Sequence, residues 1–458
     1  MKHHPPHGSF PKKALWARLG SAALALLALN AAPLVAGTTT TTDSTDAKEL
    51  AVAGTGDDIW HRKYLTGDWG GERTKLEDQG VTFGMNNIGD FLGNVTGGGS
   101  AGGQHATYFG RQRGSVDIDL KKLADFDGEF FVTGIYQYGR NLSGNYLNVN
   151  TLTSSIAGTE SLRLDQAWYQ QGLFESRVKI KVGQLAAVND FGSTGFFDIL
   201  MNDELGYAPN ALFPTGQSFS PNGRPGAELS LDLRDITPGL YAKAGVFTPS
   251  NGYRDPDDDG VHYSNYFNYG ETYAFEVGYQ EQKTDYAGLY KIGGNYGRRN
   301  TDYTGYTATG TQTFNNDYNI YAEATKSVYH PRLSNGKLDT TKGLDLFVYN
   351  IGAPGDRNAY EYEFMTGGRY TGPFSSRPID KIGFGFIYNR SGGNQDYNTA
   401  VNPTGAPLGG ETVVELDYQY AVTPWFKIQP DFQAIFNPRG DSARSDILIL
   451  GVRTIVDF

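Results

Sequence analysis

The chain has 458 residues, a formal net charge of −11 and no cysteine. The missing thiol excludes disulfides, thiolate metal sites and cysteine nucleophiles, and the acidic balance makes nucleic acid a poor partner. Glycine, tyrosine and phenylalanine are abundant (60, 30 and 26), yet the mean hydropathy is −0.45, which argues against a helical membrane protein and suits a membrane barrel, whose strands turn half their residues to water.

Residues 1–37 read as a secretory signal peptide. Lys12, Lys13 and Arg18 precede an apolar stretch from Leu19 to Ala32, and small residues then offer cleavage after Ala31, Ala32, Ala36 or Gly37. The apolar run is too short for a membrane anchor and Pro33 interrupts it. His3, His4 and His7 fall in this segment and are not a metal site. Residues 38–60, opening on a threonine run, form a flexible leader without a core-forming pattern.

Residues 61–80 are expected to form a short helical segment on the periplasmic side. Asp68 can cap a helix from Trp69 to Gln79, and Gly80 can end it in the left-handed conformation. Within it runs Leu65-Thr-Gly-Asp-Trp-Gly-Gly, followed by Arg73-Thr-Lys-Leu and Gly80-Val81. Further along come Leu162-Arg-Leu-Asp-Gln-Ala-Trp168, Val182-Gly-Gln, Gln429-Pro-Asp-Phe-Gln433 with Asn437-Pro438, and Gly451-Val-Arg453. This set resembles the carbohydrate-selective outer-membrane porins of the OprB type. The resemblance implies a sugar channel in the outer membrane of a Gram-negative bacterium, and it leans towards a monomer.

From 81 to 458 the pattern is that of a β-barrel pore. Period-two alternation marks about sixteen antiparallel strands, at 81–94, 107–120, 128–140, 161–173, 177–187, 225–234, 239–247, 270–280, 286–297, 318–329, 342–352, 359–371, 380–391, 411–421, 424–436 and 446–458. An even number suits a bacterial barrel. Long connections at 141–160, 188–224, 248–269, 298–317 and 392–410 alternate with short ones at 174–176, 235–238, 281–285 and 422–423. Two fit poorly: 330–341 is long for a turn and 353–358 short for an outer loop. Pro430, in mid-strand, predicts a bulge or local irregularity.

No catalytic constellation stands out, and an enzyme is not expected. The candidate functional residues are polar side chains on the inward faces: Arg111, Arg113 and Asp117; Arg163, Asp165 and Tyr169; Lys179 and Lys181; Glu361, Glu363 and Arg369. Paired donors and acceptors with aromatic faces suit a neutral, hydroxyl-rich solute, while plain solvation of a wet lumen accounts for many of the same residues. Asp255, Asp257 and Asp259 with Gly260 copy the start of a calcium loop, but position twelve is Tyr266, so a solvated acidic loop is favoured over a structural calcium site. No cofactor is otherwise expected. The connection 188–224 carries Phe191, Phe196, Phe197, Leu200, Met201, Leu205, Leu212 and Phe213. So apolar a loop is expected to fold into the lumen, with a short helix around Phe197–Leu205, or to pack as a lid over the mouth.

The closing segment sets Leu448, Leu450, Val452, Val456 and Phe458 on one face, the lipid side, and Arg453 on the other, near the periplasmic rim. By the resemblance, Phe458 belongs to the address read by the barrel-insertion machinery. The expected partners are therefore sugars, outer-membrane lipid and that machinery. The expected function is passive diffusion of monosaccharides or small oligosaccharides; the alternatives are a general porin, or an outer-membrane enzyme or adhesin on a barrel scaffold.

Overall fold

The computed structural model describes residues 58–458 apart from 99–102, 197, 251–258, 283–284, 308–309, 399–401, 403–404 and 406. The signal segment and nearly all of the leader lie outside the described residues. Sixteen strands follow a short helix, α1 (Glu72–Asp78): β1 (Val81–Thr96), β2 (Ala106–Asp119), β3 (Gly128–Gly139), β4 (Ser161–Leu173), β5 (Val178–Leu185), β6 (Arg224–Asp232), β7 (Leu240–Phe247), β8 (Gly270–Gln280), β9 (Gly288–Thr307), β10 (Gly310–Tyr329), β11 (Gly343–Gly352), β12 (Tyr360–Thr371), β13 (Lys381–Ser391), β14 (Gly410–Thr423), β15 (Phe426–Phe436) and β16 (Ile447–Asp457). Each pairs antiparallel with its sequence neighbour, and β1 pairs with β16 to close the barrel. Closure gives every strand a partner on both sides, the condition for strands to cross a hydrocarbon layer without stranded backbone polar groups.

Alternation then sorts the side chains. Leu416, Phe432, Leu450 and Val452 are exposed on the outer wall, with Phe275, Ile292 and Ile320 on its far side. Their sequence neighbours Glu415, Asp417, Asp431, Gln433, Ile449 and Arg453 are buried inside. No helix among the described residues is long and apolar enough to cross a membrane.

One expectation about the wall changes. Residues 298–317 are not an outer loop, because β9 and β10 run on as a hairpin of two twenty-residue strands with Tyr303 opposite Phe314, Thr304 opposite Thr313 and Tyr306 opposite Thr311. Glycine and asparagine there suggest a loop, but these threonine and aromatic pairs favour the ladder. At Pro430 the expected irregularity is a gap in the ladder rather than a bulge. Pairing with β14 skips from Asp417–Asp431 to Tyr420–Ile428 without a change of register, and Pro430 stays opposite Val452 of β16.

At the end with most of the short turns the segment before β1 meets the closing strand. A 3₁₀ turn at Trp69–Gly71 leads into α1, and Gly80 adopts the expected left-handed conformation. α1 begins only at Glu72 and its N-cap is Gly71, not Asp68, yet the Asp68 side chain still accepts from the Thr74 amide in its first turn at 3.0 Å. Arg73, buried against the rings of Tyr64 and Trp69, donates to the carbonyl of Phe458 at 3.0 Å. The Leu65 amide donates to the Asp457 carbonyl, and the Phe458 amide to Met85 of β1.

Candidate functional site

The connection between β5 and β6, residues 186–223, does not cover the mouth. It folds into the lumen, as its apolar content predicts. Its Ile199, Leu200, Met201, Leu205 and Leu212 share one buried cluster with Phe347, Tyr349, Ile351, Met365, Ile387, Val413, Ile435, Ile447 and Ile449, which face inward from β11 to β16. Glycine makes room for it: a Cβ on Gly383 would come within 2.5 Å of Ile199, and one on Gly385 within 2.4 Å of Leu205. Among the described residues of the loop only Asp203–Gly206 is α-helical, a single turn at the end of the expected span, with a 3₁₀ stretch at Asn210–Thr215.

Charged and amide groups of the wall strap the loop. Arg369 of β12 donates to both oxygens of Asp198 at 2.9 Å and to Asp345 of β11 at 2.8 Å, while Lys381 of β13 reaches Asp198 at 2.6 Å. Glu363 accepts from the Ala211 amide at 3.1 Å. Glu415 accepts from the Met201 and Asn202 amides at 2.6 and 2.8 Å, and Gln429 donates to the Ile199 carbonyl. Near the loop's root Lys181 binds Asp190 at 2.9 Å, beside Glu228. Lys291 reaches the Ser193 carbonyl and Tyr349 that of Gly192.

The β3–β4 connection, residues 140–160, enters as well. Glu411 accepts from the amides of Asn150 and Thr151 at 2.9 Å each, and Ser154 donates to Asp90 at 2.6 Å. The two loops join where the Asp203 amide meets the Leu152 carbonyl and the Ser155 amide that of Met201. Arg453 lies on the inward face, as expected, but does not sit at the rim. It makes a two-pronged pair with Asp90 at 2.8 Å and donates to Ser155 of this outer loop at 3.2 Å, so the loop reaches down to its level.

The predicted site residues divide accordingly. Arg111, Arg113, Arg163 and Asp165 come together on the wall of β2 and β4. Arg111 is buried among Arg113, Arg453, Asp90 and Asp165. Arg113 donates to Thr133 at 3.2 Å, Arg163 to Asn222, and Asp165 accepts from Ser220 at 2.6 Å. Asp117 stands apart towards the short-turn end, near Glu129. Lys179 and Lys181 face Ser230 and Glu228 across the β5–β6 ladder.

Two assignments are overturned. Pairing of β3 with β4 passes from Thr133–Gln166 to Gly134–Leu164, leaving Asp165 as an extra residue. Such a bulge reverses the faces beyond it. Tyr169 therefore lies on the outer wall, opposite exposed Phe130 and Val182, and buried Trp168 takes the inward position against Phe131 and Lys181. Glu361 sits in a second irregularity, between Tyr360 and Tyr362, and pairs with exposed Arg390 at 2.6 Å instead of lining the lumen. Asp255 and Asp257 lie outside the described residues. The Asp259 carboxylate accepts from the Val261 amide and meets His262 at 2.8 Å.

Between the inserted loops and the outer ends of the strands lies a cavity of about 540 Å³. Asn150, Asn210, Gln217, Ser250, Asn394 and Gln395 line it, with Phe213, Phe219 and Tyr360. Sequence reasoning missed the amide and hydroxyl residues of this lining because they come from connections, where no period-two pattern assigns a face.

A closed sixteen-strand barrel, a polar inner wall and an apolar loop strapped across the lumen form the architecture of a diffusion pore. The family model for the carbohydrate-selective porins, OprB family, matches residues 103–458. The chain belongs to this family. Porin B of Pseudomonas aeruginosa is 25% identical over 426 residues, covering 85% of this chain and 90% of that protein. The putative porin QuiX of Acinetobacter baylyi is 24% identical, covering 88% and 95%. Among solved structures, OprB of Pseudomonas putida in its high-pH form superposes with a TM-score of 0.76 at 21% identity, covering 87% of this chain and 99% of that one. The protein is thus a carbohydrate porin of the Gram-negative outer membrane, and its family and fold are those of a channel rather than an enzyme.

Proposed function

We propose that the protein passes monosaccharides or small oligosaccharides by passive diffusion, driven by the solute gradient and needing no cofactor. The supporting observation is how the lumen's polar groups are used. Many of its charges are spent on the inserted loops, and the cavity they leave at the outer mouth is lined largely by amides, a hydroxyl and aromatic rings. Beside them stand Arg299 and Arg439, each donating to protein oxygens, and the neutral groups that both donate and accept fit an uncharged polyol. Lipid surrounds the exposed apolar wall, and the insertion machinery reads the closing strand ending in Phe458.

Liposome swelling with sugars and amino acids of matched size tests the proposal. Faster swelling in sugars is expected. Equal rates would make this a general porin.

A further inference from the structure

Three carboxylates meet on the inner wall where it carries the strapped loop. Glu415 and Asp417 alternate on the inward face of β14, and Asp431 of β15 is paired directly opposite Asp417. All three side chains are more than nine-tenths buried. Each brings an oxygen within 4.8 Å of those of the other two. Like charges set opposite one another repel across a ladder. Elsewhere in the lumen Asp90, Asp190, Asp198 and Glu323 each stand against an arginine or a lysine. Glu415, Asp417 and Asp431 have no ion pair among the described residues, and the nearby Arg453 gives both prongs to Asp90.

The individual oxygens carry the argument further. Glu415 Oε1 accepts from the Met201 and Asn202 amides, Asp417 Oδ1 from Gln429 at 2.8 Å, and Asp431 from Gln433 at 3.2 Å. Glu415 Oε2 and Asp417 Oδ2 accept from no group among the described residues, and both are shut off from solvent. A buried carboxylate oxygen with no donor calls for a cation or a proton. Two such oxygens beside a third carboxylate make an all-oxygen, charged donor set of the kind calcium takes. Calcium bonds of roughly 2.3–2.6 Å let one ion reach oxygens spaced as these are. Magnesium demands shorter bonds in an octahedron and keeps several waters, which suits so enclosed a place less well. We infer that Glu415, Asp417 and Asp431 bind one calcium ion inside the barrel wall. The ion is structural: through Glu415, whose other oxygen holds Met201 and Asn202, it braces the inserted loop.

Calorimetric titration of the purified protein in detergent, stripped with a chelator and then given calcium chloride, tests the site. One ion per chain should bind. Asp431→Asn removes one of the three charged ligands and should weaken that binding at least about tenfold. Asp259→Asn, in the exposed acidic connection, should leave it unchanged. Absence of binding to the wild type would mean that the carboxylates share protons instead, and the site falls. It falls equally if Asp431→Asn binds as the wild type does, or if Asp259→Asn is the variant that loses the ion. If Asp431→Asn does not fold, the wild type alone still decides. Saturating calcium must then raise its unfolding temperature by several degrees over the chelator-treated protein, and must do so in Asp259→Asn as well. An unmoved temperature in either protein overturns the inference.

Discussion

The two ends of the barrel solve different problems. At the outer end, the connections 140–160 and 186–223 turn inward and bind the wall through Glu411, Glu415, Glu363 and Arg369. At the inner end most of the turns are short, and ordered contacts join the segment before β1 to the closing strand, with Arg73 on Phe458 and Leu65 on Asp457. Charge inside this pore is therefore in large part structural. It fixes what fills the lumen on one side and what closes the wall on the other.

This contrast is most directly broken by deleting residues 195–215, the apolar part of the strapped loop. Single-channel conductance should rise on the order of twofold or more, since a narrowed lumen sets the current. Unchanged conductance would mean that the loop does not form the constriction.

A milder break is Asp198→Ala, which leaves Arg369 and Lys381 without their shared loop partner. Slow current fluctuations and a smaller rise in mean conductance are expected, with folding intact by the electrophoretic shift on heating. The contact also has a pH signature. Burial alone would raise the Asp198 carboxyl, but Lys381 and Arg369 beside it hold it well below its usual range. A depressed acid contributes its stabilisation above the unfolded pKa of about 3.9 and loses it as the pH falls through the lower folded value. The strap should therefore hold from neutral pH down to about 4, and wild-type current noise should not grow across that range. Growth within it would show that Asp198 is not the strap.

The smallest effect on the open pore is expected at the other end. Removing Phe458 should reduce the yield of inserted barrels while leaving the conductance of those that form at the wild-type value. An altered conductance would place this residue in the pore rather than in assembly.

Much of the wall was legible in the residues. Period-two alternation in Asp446–Phe458 and Glu411–Ala421 gave both strands and faces, because lipid and lumen impose opposite polarity on successive residues. The apolar content of 188–224 likewise marked a loop that must bury itself. Tyr169 and Glu361 failed for a shared reason: each assignment carried a uniform alternation past an irregularity that only neighbouring strands define. The β9–β10 hairpin failed because pairing across its tip overrode a loop-like composition. Arg369 and Glu363 were placed on the correct face, yet their role as straps depends on partners 171 and 152 residues away.

The seam between β1 and β16 bears on the order of events in the cell. Asp90 finds Arg453 only across 363 residues of chain, so the first strand is made long before its second neighbour exists. Until then its inward Asp90 and its unpaired edge stand open to any passing strand. A polypeptide built this way cannot seal its wall until its last strand has been made, so the barrel is the final act of its folding rather than the first.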